Sequence, residues 1–292
     1  MINRSKLLAL AAGASVGLLG VARFATADIT GAVKLDGKAP EMKPIDMGAV
    51  AECAKQHQDP VYEETVVAGE KGELANVVVA LKPDDVGALG AIEVPKQPAV
   101  IDQKGCQYIP HVLPVMVGQE MMIKNDDPFL HNVHSLAQQN PPFNFGQPNK
   151  DDGKKVESPK AAETYKVKCD VHPWMGAWVV VFDHPFFAVS DENGKFTIKG
   201  NPPDGDYKVV AWHEKLGEQT GTVTVKDGKG EVNFTFKAEG ATGPDNAMTP
   251  KLASAKTDGA TVKAVSNEKT MSCCGDCTEQ TAKPTGTMAS SK

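Results

Sequence analysis

The sequence predicts an all-β protein built as sandwiches. Three observations carry this: short runs of β-branched and aromatic residues recur along the chain, Gly, Pro, Asn and Asp punctuate them, and helical patterning is confined to one stretch. In order the runs are ITGAVKL (29–35), ANVVVAL (75–81), MMIKN (121–125), AWVVVF (177–182), KFTI (195–198), DYKVVAW (206–212), GTVTV (221–225) and EVNFTF (231–236). Each has the length of a strand, and no helical segments alternate with them, which argues against βαβ units. Ala49 to His57 is the one candidate helix. Asn193-Gly194, between FFAVSDE and KFTI, suits a turn that needs positive φ, and Pro202-Pro203-Asp204-Gly205 marks the next turn. Both are read as hairpins, implying antiparallel pairing.

The chain ends differ from this body. Arg4 and Lys6 precede an apolar run from Leu7 to Val21 and the small-residue triplet Ala25, Thr26, Ala27, the pattern of a signal peptide (residues 1–27) cleaved before Asp28. The run is short for a spanning helix, so an exported product, periplasmic or extracellular and without a transmembrane anchor, is expected. From about Glu239 the composition shifts to Ala, Thr, Lys, Ser and Gly, too poor in large apolar groups to offset the entropy of ordering, so 239–292 is expected to be disordered. The net charge of −6 and the absence of a basic cluster argue against nucleic acid as a partner.

The six cysteines fall into three groups. Cys53 and Cys106 suit a disulfide in an oxidising compartment. Cys273, Cys274 and Cys277, in MSCCGDC, could bind a soft metal, oxidise, or link to another chain. Cys169 stands in KCDVHPWMGAWVVVF (168–182), with His172 and Met175 at three-residue steps. Thiolate, imidazole and thioether are ligands for soft or borderline metals, and a trigonal His₂Cys set with a weak axial Met describes an electron-transfer copper site. The loop lacks a second histidine; upstream, NDDPFLHNVHS offers His131 and His134. His57, His111, His184 and His213 have no such spacing and read as surface or hydrogen-bonded core residues.

The pair His131-Asn132-Val133-His134 and Cys169-Asp170-Val171-His172-Pro173-Trp174-Met175 resembles the cupredoxins, most closely the amicyanin type. The resemblance runs through AVIDQKGCQYIPHVLPVMVGQEMMIKN, which looks like the family's first two strands, and covers about 98–184. It implies one copper ion held by His131, Cys169 and His172, with Met175 axial. His134, three residues along an extended segment, points to the opposite face from His131. The resemblance also implies a backbone N–H from Asn132 to the thiolate and a side-chain tether from Asn132 between the two ligand segments. Asp170 replaces the family's Ser or Thr: its charge would lower the potential unless Asn132 hydrogen-bonds it, or it is simply an exposed carboxylate. Val171 carries an N–H where a Pro often stands, allowing a second bond to sulfur that would raise the potential. Pro173 and Trp174 are expected either to border an exposed His172 edge where partners dock or to pack the loop.

The flanking ITGAVKLDGKAP, ANVVVALK and FAVSDENGKFTIKGNPPDGDYKVVAWHEKL resemble the carboxypeptidase regulatory-like domain, a transthyretin-like sandwich. The economical division is a host sandwich of 28–97 and 185–238 interrupted by a copper domain of 98–184, with Cys53–Cys106 stapling one to the other; the alternative makes 28–97 an extension of the copper domain. The leading functional expectation is a blue copper protein that is not an enzyme and passes single electrons between redox proteins. A copper-delivery protein using the tail thiols, or a structural surface protein with a degenerate site, are the other readings.

Overall fold

The computed structural model describes residues 28–86 and 92–239. The expected signal peptide and the tail with Cys273, Cys274 and Cys277 lie outside the described residues. Strands dominate: only two single-turn helices, Ala51–Ala54 and Pro83–Val86, occur among the described residues. None of the described helices is long and apolar enough to cross a membrane.

The outer segments of the chain build two sheets. In one, Asp28–Asp36 pairs antiparallel with Lys195–Ile198 and parallel with Lys229–Glu231 and Phe234–Lys237. The other runs Phe187–Val189, Val78–Leu81, Gly205–His213, Gly217–Val225. Ile29, Val33 and Phe196 meet Val79, Val209 and Val223 in the core between them. The middle of the chain builds two more: Gln107–Ile109, Ala99–Lys104, Met121–Asn125, Asp151–Val156, and Val112–Met116, Gly176–Phe182, Glu163–Lys168, His131–Ser135, Asn144–Gln147. Ile101, Tyr108 and Ile123 pack there against Val133, Val167 and Val179.

A third cluster joins the two pairs of sheets: Val78, Ala80, Val210 and Trp212 from one against Val112, Trp178, Val180 and Phe182 from the other. This explains the unbroken valine runs. Strands buried on both faces need apolar residues at every position, whereas a half-exposed strand alternates. All four residues of Val78–Leu81 are buried, as are six of the seven in Gly176–Phe182.

Four sequence expectations give way here. The Asn193-Gly194 and Pro202–Gly205 turns are not hairpins: each carries the chain from one sheet of the outer pair to the other, so the strands they join do not pair. The local chemistry is still that of a tight turn. The Asp191 carboxylate accepts the N–H groups of Asn193 and Lys195, and Gly194 adopts φ 67°. EVNFTF is split between two strands rather than forming one, and at the break the exposed Asn233 side chain accepts the Ala32 N–H at 2.8 Å. The AVIDQ…MMIKN stretch holds four strands, not two, and the helix expected over Ala49–His57 shrinks to Ala51–Ala54.

Candidate metal centre

His131 opens the strand His131–Ser135, in which burial alternates, so His131 and Val133 face the core while Asn132 and His134 face outward. Cys169, His172 and Met175 lie on the loop between the antiparallel strands Glu163–Lys168 and Gly176–Phe182. The loop closes on itself: Cys169 N donates to Met175 O at 3.2 Å and Met175 N to His172 O at 3.0 Å. Because Lys168 pairs with His134, the loop starts beside the histidine strand.

Three donor atoms converge. The Nδ1 atoms of His131 and His172 are 3.0 Å apart, Cys169 Sγ is 3.6 Å from His172 Nδ1, and all three lie within 4.8 Å of one another. One strand and one loop supply the three side chains, which are 0 %, 4 % and 2 % exposed. Burial pushes the Cys169 thiol up, but hydrogen bonding from His131 and from the backbone N–H groups of Asn132, His172 and Val171 outweighs it and lowers the thiol below its ordinary range. The His172 N–H to sulfur bond is 3.3 Å. Met175, 2 % exposed, packs in the same core cluster as Cys169.

The outward residues do specific work. The Asn132 side chain accepts the Asp170 N–H at 3.1 Å and donates to Asn144 Oδ1 and Phe145 O, joining strand to loop. The Asp170 carboxylate does not bond Asn132; it pairs with Lys168, His134 and Asn144 at the surface, which hold it below the usual carboxylate range. His134 is thereby turned away from the donor cluster.

The expected exposed edge of His172 is absent. His172 is buried and Trp174 half-buried, and the Trp174 indole N–H is used inside the protein, donating to Cys106 O at 3.0 Å. Pro173 and Val171 remain exposed. The cover is the 44–62 segment, closed on itself by the Pro44–Tyr62 bridge and the Ile45 N to Val61 O bond, with Met47 and Cys53 buried against the centre's own core. The Cys53–Cys106 disulfide fastens it, and both sulfurs lie within 4.8 Å of a ring nitrogen of His172.

Sequence reasoning missed Asp127. Its carboxylate, 1 % exposed, accepts His131 Nε2–H at 2.7 Å and the N–H groups of Gly105 and Cys106 at 2.9 Å each. Burial pushes this acid up, yet the three donors bring it below its usual range, and the pair with Asp127 and Cys169 raises His131 against its own burial. A carboxylate on one ring nitrogen fixes which nitrogen is left for a metal; here that is Nδ1. Gly105 and Cys106 form the turn between Ala99–Lys104 and Gln107–Ile109, both at positive φ, 61° and 55°. A side-chain-bearing residue rarely adopts this conformation; Cys106 is kept there by its bond to Asp127 and by its disulfide. Tyr108, also missed, is buried beside the thiol, and its hydroxyl donates to Asn132 O at 2.6 Å. The only sequence sign of Asp127 was its place four residues before His131.

No protein-family model matches the chain, and no curated protein matches it. Among solved structures, the chain is similar to a Cu-containing nitrite reductase from Thermus scotoductus SA-01, at 24 % identity over 32 % of this chain, with a TM-score of 0.26; the match spans 24 % of the reductase. It is similar to the Cu(I) form of an amicyanin mutant at 30 % identity, covering 30 % of this chain and 86 % of that one, with a TM-score of 0.26. An oxidised amicyanin mutant matches at 28 % identity over 31 % of this chain and 88 % of its own, with a TM-score of 0.25.

Proposed function

We propose that the chain is an exported mononuclear blue copper protein that carries single electrons between redox proteins. The observation that supports this is the convergence of two imidazole Nδ1 atoms and one thiol in a buried site. A His₂Cys set with a nearby thioether matches the preferences of copper that cycles between Cu(I) and Cu(II). His131, Cys169 and His172 would hold the ion, and the Met175 thioether, buried in the same core cluster, would be the further ligand.

The residues around them set what the site does. Asp127 and Asn132 hold His131 and the cysteine loop in place before metal arrives, N–H groups aimed at sulfur stabilise the thiolate, and the 44–62 cover keeps water from the rings. Such rigidity suits a one-electron centre, because little must reorganise when the charge changes. The reading requires no general acid, base or nucleophile, so the protein is proposed not to be an enzyme. The two middle sheets are read as a copper domain inserted into a host sandwich that acts as its scaffold.

Substitution of the ligands tests the assignment. With Cu(II) added, Cys169→Ser should abolish an intense visible thiolate-to-copper band and His131→Ala should weaken or abolish it, while His134→Ala should leave it. Retention of the band in Cys169→Ser would reject this function.

A further inference from the structure

We propose that Cys53 and Cys106, as thiols, form with His172 a second soft-metal site through which the copper centre is loaded before the disulfide closes. The inference rests on the copper reading of the centre and adds how the ion gets in. Every donor of the centre is covered, and the segment that covers His172 is fastened by this disulfide. Closing the disulfide would pin this cover and slow entry of the ion to the ligands. A newly exported chain, however, begins with both cysteines as thiols.

The geometry gives those thiols a use. In the disulfide form both sulfurs lie within 4.8 Å of a ring nitrogen of His172, and all three side chains are buried, so on reduction the two thiols start beside this imidazole. Two thiolates and an imidazole are a donor set for Cu(I). His172 belongs to both clusters, so an ion held by the thiols is already against a ligand of the centre. Cys106 is connected to the other histidine as well, since its N–H and the His131 ring share the Asp127 carboxylate. The 44–62 segment also rests on the centre's core through Met47 and the partly buried Ile45, Val50 and Val61, and His57 contacts Gly105 O at 2.8 Å; with the thiols free, its covalent fastening is gone and only these contacts hold it.

The chemistry balances. Two thiols bind one Cu(I) and release two protons. The ion then passes to Cys169, which gives up its proton, and to His131 and His172. The freed Cys53 and Cys106 thiolates form the S–S bond by giving two electrons to the disulfide of an oxidising partner protein, which takes up two protons and leaves as a dithiol. Closure seals the centre.

The test uses the full chain with Cys273, Cys274 and Cys277 changed to Ser and, in addition, Cys169→Ser to disable the centre. Its dithiol form, prepared anaerobically with a phosphine reductant, and its disulfide form are each titrated with Cu(I) against a coloured Cu(I) chelator. The dithiol form should retain one Cu(I) that the disulfide form does not, and Cys53→Ser or His172→Ala should lose it. With Cys169 intact, the dithiol form should also strip Cu(I) from the chelator faster than the disulfide form. If the Cys169-containing chain forms its copper centre but the reduced Cys169→Ser chain holds no more Cu(I) than its disulfide form, this proposal is overturned and the copper reading stands. If the reduced variant binds Cu(I) while the intact chain forms no centre, the thiol site stands and the carrier reading falls. Equal loading rates would reject the route.

Discussion

Asp127 takes three N–H donors on two oxygens, and two of them come from a turn more than twenty positions upstream. Asp127→Asn keeps the size but puts an amide where three donors meet, so His131 loses its fixed orientation. Loss of such an outer partner typically costs about 10–100-fold in metal affinity, and chelator competition on the variant should show a drop of that order; unchanged affinity would contradict the role. The convergence of His131, Cys169 and His172 was legible because a cysteine, a histidine and a methionine at three-residue steps are rare chemistry and the resemblance pointed to His131 as their partner. Asp127 was not, because an aspartate after Asn-Asp looks like ordinary turn punctuation and its partners are set by the fold. A second residue-scale prediction concerns His184, whose burial lowers its pKa to about 4. Its Nδ1 accepts the Phe186 N–H, so the ring is neutral. The folded state binds the proton less well than the unfolded one, so this stability is present above about pH 6.5 and is lost as pH falls through about 4, roughly 3 kcal/mol in all. Denaturant midpoints against pH should flatten in that window in His184→Leu; an unchanged slope would assign the acid sensitivity elsewhere.

At the scale of elements, turn chemistry was readable but its destination was not. Asp191 to Gly194 would look the same locally in a hairpin or in a corner between sheets; which one forms is decided by where the following strand finds its apolar partners. KFTI finds them on Asp28–Asp36, more than 160 positions upstream. That central strand is itself constrained. At Gly31 a Cβ would stand 1.8 Å from Val232 O and 2.5 Å from the Phe196 ring. Gly31→Ala must therefore push apart a backbone neighbour and a core aromatic, at a cost of about 3 kcal/mol or more. Urea unfolding should report it, and a loss under about 1 kcal/mol would mean that the sheet yields there more easily than its packing implies.

Across the whole molecule, the two pairs of sheets share an apolar seam with a polar clasp. Trp178 and Trp212 meet edge to face at 5.5 Å, and the Trp178 indole donates to Glu214, which also pairs with His111. The seam was half visible in advance: unbroken valine runs mark strands covered on both faces, but not what covers them. Trp178→Ala removes a large buried ring and one donor to a buried carboxylate, a loss of about 3–5 kcal/mol. Calorimetry should show one cooperative transition in the native chain and two in this variant; a single shifted transition would mean that the two halves are coupled elsewhere. The cover over His172 was not foreseen because resemblance covered the site's loops and not the segment laid on them. That cover moves the question of partner contact away from the His172 edge.

The most direct test of the account is the optical and electron-paramagnetic-resonance spectrum of the full chain after one equivalent of Cu(II). The convergence of His131, Cys169 and His172 predicts an intense visible thiolate band with narrow copper hyperfine splitting. A colourless protein, or an ordinary tetragonal copper signal, would contradict it.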